Sequence, residues 1–124
     1  MEKSTKIYYS DGCGDAKNCY YPHVADMMNE TELKTALAHD HVLAEYRHGR
    51  RSIENFISSN AVGLDVDNEH TDEAKNWITA ADIEDMFYNV DYVLVYSRHH
   101  MKEKGSGEKR KSARPRFHIY FPVP

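Results

Sequence analysis

Two aspartates one residue apart, in Ala61-Val62-Gly63-Leu64-Asp65-Val66-Asp67, are the first residues of this chain whose types and spacing could do chemistry. On a strand, positions i and i+2 share a face with their Cα atoms roughly 7 Å apart, so Asp65 and Asp67 can converge on one or two hard cations through oxygen ligands. Gly63, on the same face, removes a side chain beside them and lets a substrate approach the backbone. An Asp-x-Asp-Asn run at a strand end also suits the start of a turn, and the spacing alone leaves both readings open. A calcium loop of EF-hand type is disfavoured: counted from Asp65, His70 stands where glycine is needed and Asn76 where glutamate is needed.

His118 is the second candidate. Phe117, Ile119 and Phe121 form the apolar face of its strand, so His118 and Tyr120 face the other way. A strand histidine is commonly structural, but this one has basic company. Residues 98–116 hold Arg98, Lys102, Lys104, Lys109, Arg110, Lys111, Arg114 and Arg116 against Glu103 and Glu108, a net +6 that leaves −10 for the rest of the chain. The overall formal charge of −4 argues against a nucleic-acid partner, yet it averages two unlike regions. A stretch of one sign beside carboxylates suits a polyphosphate or a nucleic-acid backbone better than a solvated face of mixed signs.

The elements that must hold these groups follow from periodicity. Apolar residues at helical spacing predict an amphipathic helix from Thr31 to about Tyr46, capped by Asn29 with Glu32 and stopped by Gly49. A short second helix is expected from Ser52, packing Ile53, Phe56 and Ile57, before Ser58-Ser59-Asn60. Residues 10–30 read as turn chemistry. Next come a strand at 61–67 with Val62, Leu64 and Val66 on one face, and a helix capped by Thr79 that carries Ile83, Met86 and Phe87. Tyr92-Val93-Leu94-Val95-Tyr96, apolar on both faces, reads as a central buried strand. A long polar hairpin around Gly105-Ser106-Gly107 then leads to the strand 117–121 between Pro115 and Pro122. This order is α+β, with a helical segment over 1–60, a βαββ core over 61–124, and a right-handed crossover between parallel strands as the first connection of that core.

With 124 residues, 40% of them hydrophobic and 29% charged, the chain fits one globular domain rather than a disordered tail. No apolar run approaches the ~20 residues of a membrane span, and the N-terminus lacks a signal-peptide stretch. Cys13 and Cys19 are too few for a disulfide framework, so the expectation is reduced loop thiols and a cytoplasmic location. The run Cys13-x5-Cys19-x3-His23 admits zinc, although structural sites space their cysteine pairs more closely and bring a matching second half.

Val62-Gly63-Leu64-Asp65-Val66-Asp67 resembles the hydrophobic-Asp-hydrophobic-Asp first motif of the archaeo-eukaryotic primase (primase-polymerase) superfamily, which also occurs in plasmids, phages and integrated elements. Arg116-Phe117-His118 resembles its small-x-His second motif, with arginine in place of the small residue. The resemblance covers about residues 61–121. It implies an RRM-like mixed sheet with helices on one face and template-directed nucleotidyl transfer from nucleoside triphosphates on DNA. It further implies Mg²⁺ or Mn²⁺ on Asp65 and Asp67, His118 on the triphosphate, and a downstream helicase domain or protein. From position rather than from a motif, Arg116, Arg114 and Ser97 are expected at phosphate or template, and Arg98, Lys109, Arg110 and Lys111 at nucleic acid. The family's third motif, hydrophobic-Asp on a later strand, has no counterpart before Pro124. The expectation is therefore an N-terminal part of a longer protein, truncated before the last strands and inactive in nucleotide transfer by itself.

Other classes compete. A non-catalytic nucleic-acid-binding module would use the basic hairpin and an exposed Tyr120 for stacking. A rolling-circle nuclease needs two histidines flanking one apolar residue; His39-Asp40-His41 has the wrong centre and His118-Ile119-Tyr120 lacks the second histidine. A purely structural domain must treat the aspartate pair, the +6 stretch and His118 as coincidences.

Overall fold

The computed structural model describes residues 5–123, and among them two helices and ten short strands give an α+β arrangement. These residues divide into two compact units, one from 5–62 with Pro122 and Val123, the other from Gly63–Phe121.

In the first unit β1 (Lys6–Tyr9) is the middle strand of a sheet, flanked antiparallel by β2 (His23–Asp26) and β3 (His41–Val42). The helix α1 (Glu30–Leu37) starts where Asn29 accepts the Glu32 N–H at 3.1 Å, as its sequence predicts. Ile7, Ala25, Met27 and Ala36 are buried. A separate antiparallel ribbon pairs β4 (Ala44–Tyr46) with β5 (Phe56–Ser59).

The helical reading of 1–60 is therefore corrected. α1 ends at Leu37 instead of near Tyr46, because Asp40 turns back to accept the N–H groups of Gly14 and Asp15 at 2.7 and 3.0 Å. The residues after it pair as strands β3 and β4. Ser52 closes only a single turn on Asn55, and the expected second helix is replaced by β5. Ile53, expected to pack, is 96% exposed. A β-branched, serine-rich stretch gains more from a ladder than from a helix. The segment 10–30, read as all turn, also contains β2.

Most of a second sheet, β6-β10-β7, falls in the second unit: β6 (Ala61–Val66) from Gly63, β10 (Phe117–Pro122) as far as Phe121, and all of β7 (Val93–Tyr96). β10 runs antiparallel to β7 with Phe117 opposite Tyr96 and Ile119 opposite Leu94. The middle strand is thus β10 and not the 92–96 run, which lies at the side of this sheet with its side chains half-buried or exposed. An apolar run reports burial but not sheet order, which the ladder partners decide. Phe117 and Ile119 are fully buried with Ile83, and Val66, Phe87, Tyr92, Leu94 and Phe121 pack around them. Val62 and Leu64, on the same face as Val66 by their spacing, remain about half exposed.

The helix α2 (Ala80–Met86) supplies Ile83. Thr79 accepts from the Asp82 N–H while the Asp82 carboxylate accepts from the Thr79 N–H, a complete capping box. The basic stretch forms the expected hairpin, with β8 (Lys102–Lys104) antiparallel to β9 (Lys111–Arg114). Gly105 sits at φ +83°, where an added Cβ would lie 2.7 Å from the Lys109 carbonyl oxygen.

Candidate active site

β6 and β10 are neighbours in the sheet, and this brings Asp65 and His118 together: His118 Nδ1 donates to Asp65 Oδ1 at 2.8 Å. A carboxylate only accepts, so the shared proton sits on Nδ1 and the ring's Nε2 is not part of that bond. The Asp65 side chain is 60% exposed and that of His118 36% exposed, so both are reachable by a ligand.

Tyr120 lies one alternate position further, its ring stacked near His118 with centroids 6.2 Å apart. Burial, and then the charge of Asp65, push its phenol up to about 12. The exposed stacking face expected of Tyr120 is corrected, because the residue is buried.

Asp67 follows β6 and meets Arg116. Arg116 Nη1 donates to the Asp67 carbonyl at 2.9 Å and to Glu69 Oε1 at 3.1 Å, and the Asp67 carboxylate lies 3.8 Å away. The guanidinium is fully buried, and its Nε and Nη2 have no hydrogen-bond partner among the described residues. Arg116 therefore does not present itself to an outside phosphate in this conformation. It braces the turn that carries Asp67 and Glu69. Ser97 is also occupied, its hydroxyl donating to the Arg116 carbonyl at 3.3 Å.

Arg114 departs further from expectation. It is fully buried, and its five N–H groups are spent within the unit. Nε donates to Ser112 O, Nη1 to Asn68 O and Thr71 O, and Nη2 to Asp72 Oδ1 and Ser112 Oγ, all between 2.8 and 3.1 Å. That hydrogen bond holds the Asp72 carboxyl below its ordinary value. With every donor engaged inside the unit, Arg114 offers none to an outside phosphate in this structure. Lone charge signs in a sequence do not reveal which cations an interior loop has claimed.

Asn68 is the residue that sequence reasoning passed over. Buried at φ +55°, it donates to Ile78 O and Pro115 O and accepts from the Ile78 N–H at 2.7 Å. Asn tolerates the left-handed region, and its place directly after Asp67 was the available signal.

The rest of the hairpin keeps part of its charge. Arg98 and Lys109 are exposed, Lys111 is half-buried, Arg110 pairs with Glu103, and Lys104 reaches Glu69 at 3.8 Å. Some of the +6 is thus neutralised locally.

Asp65 and Asp67 offer exposed carboxylate oxygens of the kind hard cations prefer, so the pair fits Mg²⁺ or Mn²⁺, although the Arg116 cation competes for Asp67. No group of three or more His, Cys, Asp or Glu side chains gathers as a metal cage among the described residues. In the first unit Cys13 and Cys19 are exposed free thiols, and His23 Nε2 meets Asp11 at 2.6 Å. No protein-family model, curated protein or solved structure matches this chain.

Proposed function

We propose that the second unit holds metal and triphosphate in a nucleotidyl-transfer site of primase-polymerase type, on an RRM-like sheet, in replication of a mobile element or phage. The observation that carries the reading is the Asp65–His118 pair on neighbouring strands, with Asp67 one alternate position along. Asp65 and Asp67 would be the metal ligands. A bound Mg²⁺ or Mn²⁺ would supply charge to hold the triphosphate and lower the pKa of an attacking 3′-hydroxyl. Asp65 orients the imidazole through Nδ1, and in the doubly protonated ring Nε2–H would donate to a phosphate oxygen. Arg116 fixes the turn after β6 and with it the direction of Asp67. Lys109 and Lys111 lie on the hairpin and Arg98 in the turn before it, where a template backbone would gain their charge.

One observation favours a second reading, a non-catalytic nucleic-acid module: Asp67 and Glu69 already have a cation in Arg116. The two separate by titration with manganese and a nucleoside triphosphate. The catalytic reading expects manganese-dependent triphosphate binding that falls at least tenfold in Asp65→Asn with Asp67→Asn. His118→Ala should weaken the triphosphate while sparing the metal. Oligonucleotide binding that ignores manganese, with no triphosphate binding at all, would sink the catalytic reading and leave the module.

A further inference from the structure

The first unit contains an open cleft of about 260 Å³ with four tyrosines in its walls. Tyr8 on β1, Tyr46 on β4, and Tyr20 with Tyr21 from the preceding loop line it, and Glu45 and His48 complete the polar part. This is smaller than the ~300–1,000 Å³ typical of small-molecule sites, and suits one planar ring entering from an open side.

The cleft is held in shape by backbone pairing. Tyr21 N–H donates to Gly49 O and Arg51 N–H to Cys19 O, each at 2.8 Å, so the tyrosine loop and the basic segment Arg47-His48-Gly49-Arg50-Arg51 form one rim. The Arg50 guanidinium lies 4.4 Å from the centroid of the Tyr20 ring. Arg47, Arg50 and Arg51 are exposed, and none forms an ion pair with a carboxylate among the described residues. Glu45 Oε2 accepts from the Tyr8 hydroxyl at 3.3 Å, and its other oxygen remains an acceptor.

Aromatic walls with a carboxylate could also take an organic cation, but the exposed Arg47, Arg50 and Arg51 of the segment that borders the cleft, the Arg50 guanidinium lying over Tyr20, repel one. They attract a polyanion. We propose that this cleft seats one base of a single-stranded nucleic acid, stacked on tyrosine, with Glu45 accepting an N–H of the base edge and the adjoining phosphates on Arg47, Arg50 and Arg51. The site lies in a different unit from Asp65 and His118 and does not depend on their chemistry.

The probe is a labelled oligouridylate containing iodouracil, measured by anisotropy over a salt series and then photocrosslinked. Tyr20→Ala and Tyr46→Ala should each weaken binding about fivefold or more, and Tyr20→Phe, which keeps the ring, should restore it. Tyr20 is already exposed, so its substitution spares the fold. Arg50→Gln with Arg51→Gln should flatten the salt dependence by roughly 0.7 in slope per lost phosphate contact. Crosslinks are expected on Tyr8, Tyr20 or Tyr46. Crosslinks confined to 98–116, unchanged affinity in Tyr20→Ala, or binding of trimethyl-lysine in place of the oligonucleotide would each overturn the proposal. Asp65→Asn with Asp67→Asn should leave the tyrosine crosslinks intact, so a failed catalytic reading is told apart from a failed cleft.

Discussion

Arg114 and Arg116 stand two residues apart, and both are buried against the loop after β6. All five donors of Arg114 are satisfied, four by oxygens of the loop after β6 and of its own strand and one by the exposed Asp72 carboxylate. Arg114→Ala should strand several carbonyls and open a cavity, costing about 3 kcal/mol or more in urea unfolding. Arg114→Lys should recover less than half, because an ammonium cannot copy the fork. A loss under 1 kcal/mol would contradict this bracing role. Asp72 adds a sign to the pH dependence. Its carboxyl is lowered first by the Arg114 hydrogen bond, so its contribution is present above the ordinary value of 3.8 and fades as acid protonates it in the folded state. At this scale the sequence singled out Asp65 and His118, and the structure sets them 2.8 Å apart. The sequence could not separate buried from available arginines, since solvation is a property of the neighbours and not of the residue type.

At the scale of elements, local signals succeeded where one short interaction decides the outcome. Asn29 and Thr79 begin helices because their side chains accept an N–H three residues on, within a single turn of chain. The expected helices at 31–46 and from Ser52 failed where long-range pairing outweighed propensity. β4 finds β5 across a loop, and β3 finds β1 more than thirty positions earlier. Gly49 shows how such pairing is enforced. At φ +69°, with an added Cβ only 3.0 Å from the Tyr21 carbonyl oxygen, the position disfavours any side chain. Gly49→Ala should cost about 1–2 kcal/mol, read as a lower urea midpoint at unchanged slope, and should loosen the Tyr21–Gly49 pairing. An unchanged midpoint would mean that the left-handed turn is dispensable.

For the molecule as a whole, two of the nine tyrosines carry a shared alkaline signature, one in each unit. Tyr8 is pushed up to about 12 by burial and then by Glu45, and Tyr120 to about 12 by burial and then by Asp65. A raised folded value means the contribution is complete below the ordinary 10 and is lost as pH rises toward 12. Stability should therefore decline across that window, and absorbance titration should find two late phenols, one missing in Tyr8→Phe and the other in Tyr120→Phe. Nine phenols titrating together near pH 10 would refute it. No helix among the described residues is long and apolar enough to cross a membrane, as the hydropathy of the chain already implied. The sequence by itself determined the α+β class, the caps of both helices, the polar hairpin and the Asp65 and His118 candidates, because each depends on residue type and short spacing. Only the tertiary structure decided that β10 lies between β6 and β7, that Arg114 and Arg116 are interior braces, and that tyrosines from three separated segments line one cleft. Those outcomes depend on which distant backbone groups find hydrogen-bond partners, and many pairings are compatible with the same local pattern.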